Sequence, residues 1–260
     1  MHPSARVYTK PSLFLYDFVV LRLSNTFAWR CSRTGVLEPL FVKHLGGQPH
    51  IPNDTSDVPH RGDDSGKRLR HLDVGVGTGH YLAVAARTGH LESIEKVTLL
   101  DLNPLTLAAA EKRLLDAGYK GEVETVEGDV LANWRAFPLR ECETKFDSIS
   151  LFYLFHCLPG PMKQKASRVL SSLKQILSED GGVLYGATIL GRHHAPHNIL
   201  GRMLLTIYNR KGIFSNADDS KKSLVEVLKD HFEDVEVSVV GNVALFVARK
   251  PILRVHESPE

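Results

Sequence analysis

The stretch His71-Leu-Asp-Val-Gly-Val-Gly-Thr-Gly-His80 carries three glycines at alternate positions. Leu69 to Val74 reads as a strand and Gly79 to Thr88 as a helix, so the glycines fall on the turn between them. Gly75, Gly77 and Gly79 permit positive φ and close approach of backbone to a ligand. Asp73 sets a carboxylate at the strand's carboxyl edge, where open α/β sheets bind ligands. The dinucleotide fingerprint G-x-G-x-x-G needs glycine at position 80; that residue is His80, so the loop is G-x-G-x-G. No Gly-Lys-Ser/Thr follows, which excludes a P-loop.

Beyond this turn, strands and helices alternate. Lys96 to Leu100 reads as a strand, and Pro104 to Ala117 as a helix with Asn103 as N-cap and Gly118 as its stop. Glu122 to Val126 and Phe146 to Phe152 follow as strands, Met162 to Leu177 as an amphipathic helix and Gly182 to Thr188 as a fifth strand. This order implies a mainly parallel sheet covered by helices on both faces. Val235 to Val240 and Val243 to Ala248 are β-rich runs separated only by Gly241-Asn242, so they form an antiparallel hairpin and the sheet ends in a reversed strand. Asp101 ends the second strand, where an acidic side chain meets a ribose diol, and Gly128-Asp129-Val130 follows the third. Acidic groups at Asp73, Asp101 and Asp129 suit a ligand with hydroxyls, amines and positive charge, and argue against a pyrophosphate.

Composition narrows the class. The 260 residues are 43% hydrophobic and 24% charged, with 32 Lys+Arg against 30 Asp+Glu, a net charge of +2. That balance excludes disorder and disfavours nucleic acid as a partner. Cys31, Cys142 and Cys157 are too scattered for a disulfide framework or a metal pair, which fits a reducing compartment. No apolar run is long enough for a membrane span, and Leu13 to Leu21 is interrupted by Asp17, so a soluble, cytoplasmic protein without a membrane partner is expected. Residues 1–45 read as two helices with a break near Ser32 to Gly35, forming a lid. Residues 46–67, with Pro, Gly and polar runs, read as a flexible insertion or linker, and 68–260 as the ligand-binding domain packed with the lid.

These motifs resemble the class I S-adenosylmethionine-dependent methyltransferases, in order from about Leu69 to Lys250: Asp73-Val-Gly-Val-Gly-Thr-Gly79, Leu100-Asp-Leu-Asn-Pro104, Glu127-Gly-Asp-Val130, Phe146-Asp-Ser-Ile-Ser-Leu151 and Leu177-Ser-Glu-Asp-Gly-Gly-Val183. The terminal hairpin also looks like the family's antiparallel seventh strand. The resemblance implies a Rossmann-like seven-stranded sheet and S-adenosylmethionine as cofactor. It implies that Gly75, Gly77 and Gly79 lie under the methionine moiety with Asp73 near its amino group. Asp101 would hold the ribose hydroxyls, Leu102 would pack on the adenine, and Asp129 would meet the adenine amine with Val130 beside it.

A sulfonium methyl is already activated, so positioning does most of the work, and a general base assists where the acceptor is a hydroxyl. After the fourth strand the chain reads Leu151-Phe-Tyr-Leu-Phe-His-Cys-Leu-Pro-Gly160, aromatic and apolar, without the Asn/Asp-Pro-Pro-Tyr common in methyltransferases acting on nucleobases or glutamine. It suits a hydrophobic small molecule as substrate, with Phe152 lining and His156 as base or orienting group; the same histidine serves equally to close a loop. Gly191 to Asn198 adds His193, His194 and His197, read as base, substrate contact or a solvated loop. No metal site is expected, because nearby acidic ligands are lacking. Ile199 to Tyr208 and Leu13 to Trp29 read as aromatic-rich lid helices, with Tyr16, Trp29 and Tyr208 as lining or core residues. The expected reaction is methyl transfer to O, N or S of an apolar secondary metabolite. A non-methylating reaction such as cyclisation, or a non-catalytic partner subunit, is the alternative, and the oligomeric state stays open.

Overall fold

The computed structural model describes residues 25–47, 68–142 and 144–253. The first described residues reach a wide helical turn at Arg33–Leu37, which runs directly into α1 (Glu38–Lys43). The expected break at Ser32 to Gly35 is therefore misplaced. The Ser32 hydroxyl accepts the Gly35 N–H at 3.1 Å and so starts the helical run, and the chain turns earlier, at Arg30, whose φ is +54°. Gly46 and Gly47, at the start of the expected linker, take φ of +81° and +84°, and a Cβ on Gly47 would lie 2.8 Å from the Asp147 carbonyl. Residues 48–67, most of that linker, lie outside the described residues, as do Tyr16 and the Leu13 to Leu23 part of the lid.

The alternation that follows is β1 (Leu69–Val74), α2 (His80–Arg87), β2 (Ile94–Asp101), α3 (Pro104–Asp116), β3 (Glu122–Glu127), β4 (Ser148–Phe152), α4 (Met162–Ile176), β5 (Val183–Ile189), α5 (Ile199–Arg210), α6 (Lys221–Lys229), β6 (Phe232–Val240) and β7 (Val243–Pro251). Asn103 caps α3 by accepting the Leu105 N–H at 2.9 Å, with Pro104 at the first helical position. The seven strands form one sheet in the order β3-β2-β1-β4-β5-β7-β6, parallel except for β7. The strand order reverses between β1 and β4, so a crevice opens at their carboxyl ends.

The reversed strand is not the edge. β7 is apolar and buried along Val243 to Ala248, which requires cover on both faces, whereas β6 carries Glu233, Asp234 and Glu236 and takes the exposed border. Alternation sorts the side chains of the sheet. Leu72, Val74, Ile149, Leu151, Leu184 and Phe246 pack under α4 and α6, whereas Val97, Leu99, Tyr185, Ala187 and Val247 face α1, α2 and α3. His71 and Asp73 share this second face, an apolar layer in which a polar group needs a partner.

Candidate cofactor and substrate site

The glycine loop leaves β1 with the Gly75 N–H donating to the Leu100 carbonyl at 2.7 Å, which ties it to the end of β2. Its three glycines are all left-handed, with φ of +68°, +54° and +68°, and they differ in surroundings. A Cβ at Gly75 would come within 2.8 Å of Leu154 Cδ1, and one at Gly79 within 2.9 Å of Ala110 on α3. At Gly77 a Cβ would meet nothing within 4 Å. Gly75 and Gly79 therefore serve packing, and Gly77 alone presents bare backbone to open space. Arg113 closes the loop from α3, donating to the Thr78 hydroxyl at 2.7 Å and its carbonyl at 3.1 Å.

Beside this loop stand two carboxylates, Asp73 buried and Asp101 half-buried. Asp73 Oδ1 accepts the Ser150 hydroxyl at 2.6 Å, and burial, with Asp101 nearby, pushes its pKa up to about 7 against the pull of that hydrogen bond. Asp101 accepts the Asn103 N–H at 2.9 Å and, at 3.4 Å, the Gly77 N–H; burial raises its pKa as well. Neither has an ion-pair partner among the described residues, so the crevice sets two carboxyl groups that burial makes harder to ionise beside bare backbone. Leu102 is half-buried after Asp101. Asp129 is exposed after β3, capping its own turn through the Leu131 N–H at 2.8 Å, and Val130 is buried. The N-terminal segment reaches the same loop: Glu38 accepts from His80 Nε2 at 2.9 Å and pairs with Arg33 at 3.2 Å.

The other predicted residues divide between two aromatic clusters. Phe152 lies in the one on the α1 side, with its ring centroid 4.7 Å from Tyr81 and 5.5 Å from Phe41, and it is closed from solvent. Trp29, Tyr208, His197 and His156 meet in the other around Phe214, which is 4.4 Å from His156, 4.8 Å from Tyr208 and 6.2 Å from Trp29. His156 is 2% exposed, and burial together with the Lys165 charge pushes its pKa down to about 3. Its Nδ1 faces Thr188 Oγ1 and the Ile189 N–H, both at 3.5 Å. His197 is buried edge-on to Trp29, with Nε2 against the Leu190 carbonyl at 3.1 Å. His193 and His194 are exposed on the loop after β5. Among the described residues no group of three or more His, Cys, Asp or Glu could hold a metal, and no helix is long and apolar enough to cross a membrane.

Sequence reasoning passed over several residues here. Tyr153 follows β4 at φ +61°, a costly conformation for a bulky side chain, and donates its hydroxyl to Asn25 Oδ1 at 2.8 Å. No local motif signals that strain. Ser148 and Ser150 were legible in principle, because polar residues at period two in an otherwise apolar central strand must answer polar residues across the ladder. His71 and Asp73 stand in register with them.

A parallel sheet with one reversed strand next to its edge, and a glycine loop at the β1/β4 switch point, define the architecture of the class I S-adenosylmethionine-dependent methyltransferases. The comparisons agree. The methyltransferase-domain family matches residues 72–181. The chain is 39% identical over 247 residues, covering 95% of both chains, to the physcion biosynthesis cluster O-methyltransferase of Aspergillus chevalieri. It is 38% identical to the methyltransferase verB of Penicillium polonicum, over 96% of this chain and all of that one. Among solved structures, an O-methyltransferase family 2 protein from Planctomyces limnophilus, determined in complex with apigenin, aligns with a TM-score of 0.54 at 18% identity, covering 82% of this chain and 56% of that one, a likeness of fold. The chain belongs to the S-adenosylmethionine-dependent methyltransferases; it is an enzyme, and S-adenosylmethionine is its cofactor.

Proposed function

We propose that this enzyme methylates an oxygen atom of an apolar, ring-containing small molecule of secondary metabolism. The observation that carries the reading is full-length similarity to an O-methyltransferase of a biosynthesis cluster, across substrate-side and cofactor-side segments alike. The near-neutral charge and the aromatic stretch after β4 support an uncharged, greasy substrate.

The donor set fits the cofactor. Two carboxylates with no cationic partner among the described residues suit an amine and a pair of ribose hydroxyls, and the open space over Gly77 suits close approach of a ligand to backbone. Asp73 would face the amino group, Asp101 the ribose, Gly77 the methionine portion with Gly75 and Gly79 holding the loop beneath it, and Leu102, Asp129 and Val130 the adenine. When bound, S-adenosylmethionine supplies an electrophilic methyl group on a sulfonium. The chain's own work is then to hold the acceptor in line and keep water out, worth about 7–11 kcal/mol where the fit is good.

Tyr153, strained, joined to Asn25 and followed by Leu154, which packs against Gly75, is proposed to orient the acceptor. His156, neutral and packed between Tyr153 and Phe214, backs that ring; so high a resistance to protonation makes it a better orienting residue than a base. Trp29, Phe152, Tyr208 and His197 shape the apolar wall, and residues 25–45 with α5 form its lid. A base, where the acceptor needs one, is sought at His193 or His194. Incubation with S-adenosylmethionine and a panel of phenols, alcohols, amines and thiols tests the reading: an O-linked product fourteen mass units heavier, with equimolar S-adenosylhomocysteine, is expected. Methylation of nitrogen or sulfur alone would refute the oxygen assignment.

A further inference from the structure

Behind Asp73 runs a chain of buried polar groups that the methyl-transfer reading leaves unused. Gly46 donates its N–H to Ser148 Oγ at 2.9 Å, Ser148 Oγ lies 2.7 Å from His71 Nδ1, His71 Nε2 lies 3.2 Å from Ser150 Oγ, and Ser150 donates to Asp73 at 2.6 Å. His71, Ser148 and Ser150 are wholly buried and Asp73 nearly so. The ladder pairs His71 with Ser148 and Asp73 with Ser150, so all four side chains fall on one face of β1 and β4. Phe41 packs edge-on against the imidazole at 5.6 Å and holds its plane.

The direction of the chain follows from both ends. The Ser150 hydrogen is spent on the carboxylate, so Ser150 Oγ must accept from His71 Nε2–H. Burial pushes the His71 pKa down to about 3 against the opposing pull of the Ser148 backbone, so the ring is neutral and carries one N–H only. Nδ1 is then a bare acceptor. At the far end Ser148 accepts from Gly46, and among the described residues His71 Nδ1 is the acceptor its own hydrogen reaches. Every donor thus points toward Asp73, and hydrogen bonds aligned in series polarise one another in a low-dielectric interior.

We propose that His71 is a positioning residue for cofactor binding, the central link of a one-way hydrogen-bond relay from Gly46 through Ser148 and Ser150 that holds Asp73 as an aimed, acceptor-only carboxylate for the cofactor's ammonium group. Histidine alone among side chains offers a rigid donor and acceptor spaced to join two serines two residues apart on the neighbouring strand. The relay answers the electrostatic difficulty of the site, because burial and Asp101 both favour the protonated acid, which binds an ammonium poorly, and the Ser150 hydroxyl opposes them. It also ties the cofactor site to residues 44–47 at the end of the N-terminal helical segment. This inference rests on the reading that Asp73 meets the amino end of the cofactor.

Calorimetric titration with S-adenosylhomocysteine of the full chain and its variants His71→Leu, His71→Gln and Asp73→Asn tests it, with circular dichroism to confirm folding. His71→Leu should weaken binding about tenfold, the loss expected when a hydrogen bond supporting a charged group goes, and Gln, whose amide N–H reaches toward Ser150, should recover most of it. In nitrogen-15 spectra of histidine-labelled protein, the resonances missing from His71→Gln should report a neutral Nε2–H ring in the complex. Weak binding by Asp73→Asn with unchanged binding by His71→Leu would overturn the relay and leave the cofactor site intact. Unchanged binding by Asp73→Asn would overturn the reading on which it rests. An Nδ1–H tautomer in the complex would overturn the direction, and that spectrum decides even where His71→Leu fails to fold.

Discussion

Gly77→Ala and Gly79→Ala make a matched pair, because both residues sit at positive φ and differ only in what surrounds them. An alanine methyl in the left-handed region costs about 1–2 kcal/mol at either position, offset by up to about 1 kcal/mol from a stiffer unfolded chain. At Gly79 the methyl would also stand 2.9 Å from the Ala110 Cα and Cβ, so α2 and α3 must separate. Overpacking of that kind adds about 1–3 kcal/mol, for a loss near 3 kcal/mol and a drop of about 10 °C in Tm. At Gly77 the methyl meets nothing within 4 Å and the fold should lose only about 1 kcal/mol. The ligand tells the two apart. S-adenosylhomocysteine at a hundred times its Kd stabilises a protein by about 2.7 kcal/mol, and a thirtyfold loss of affinity at Gly77→Ala would cut this to about 0.9 kcal/mol. Urea unfolding with and without ligand should therefore find Gly79→Ala weak yet responsive to ligand, and Gly77→Ala near wild type in stability yet poorly responsive. Full ligand stabilisation of Gly77→Ala would refute the assignment of that open space to the cofactor.

Asp101→Ala should raise the Kd for S-adenosylmethionine by about 1–3 kcal/mol, because it removes charged hydrogen-bond acceptors at the end of β2; calorimetry giving an unchanged Kd would sink the ribose assignment. His156→Phe should leave cofactor affinity unchanged and act on KM for the acceptor more than on kcat, in steady-state assays with the substrate that the panel identifies; a collapse of kcat alone would make the histidine a base after all. Lys165, wholly buried, pairs with Asp219 at 2.7 Å and donates to the Ser215 carbonyl at 2.6 Å, so Lys165→Met strands a buried carboxylate and should cost about 3–5 kcal/mol in chemical denaturation. Acid should destabilise the cofactor-free protein. His71 and His156 hold pKa values near 3 when folded against an ordinary 6.5, so their contribution is complete above pH 6.5 and is lost as pH falls toward 3, whereas Asp73, raised to about 7, contributes stability in the opposite sense below pH 7. His44, His80 and His197 are also lowered and Asp101 and Asp219 also raised, so five histidines that lose stability on acidification stand against three carboxyls that gain it; the urea midpoint should fall between pH 6 and 4, and one that rises would contradict this.

The sheet was legible because its signals are local. Glycines after β1, the Asn103-Pro104 cap and the hairpin around Gly241-Asn242 each have a reading within a few residues, and together they dictate seven strands with one reversed. What stayed hidden lies across the sheet or between distant segments. His71 carries no motif of its own and acquires a role only through Ser148 and Ser150, 77 and 79 residues away. Gly241 and Asn242 have a sufficient local explanation as a turn, and that masked a second duty. Asn242 is buried, donating its N–H to the Trp29 carbonyl at 2.8 Å and its side-chain amide to the Ala28 carbonyl at 3.0 Å. A Cβ on Gly241 would come within 2.4 Å of the Arg30 carbonyl. The hairpin turn is thus the anchor of the N-terminal segment.

That anchor bears on how the two halves of the site work together. From Asn25 to Gly47 the segment touches the site's surroundings at successive points: Asn25 accepts from Tyr153, Trp29 packs against Phe214 and His197, Glu38 holds His80 beside the glycine loop, and Gly46 feeds the chain of hydrogen bonds ending on Asp73. The first two lie on the side assigned to the acceptor and the last two on the side assigned to the cofactor. On the assignment proposed above, one continuous piece of backbone, pinned at residues 28–30 by the hairpin turn, would set the distance between them. Methyl transfer depends on the acceptor and the sulfonium being held within a narrow approach distance, so a shift of this segment changes rate even when every contacting side chain is kept. The physical expectation is that substitutions at Asn242, far from the reacting atoms along the chain, depress kcat without a matching loss in Kd for either ligand.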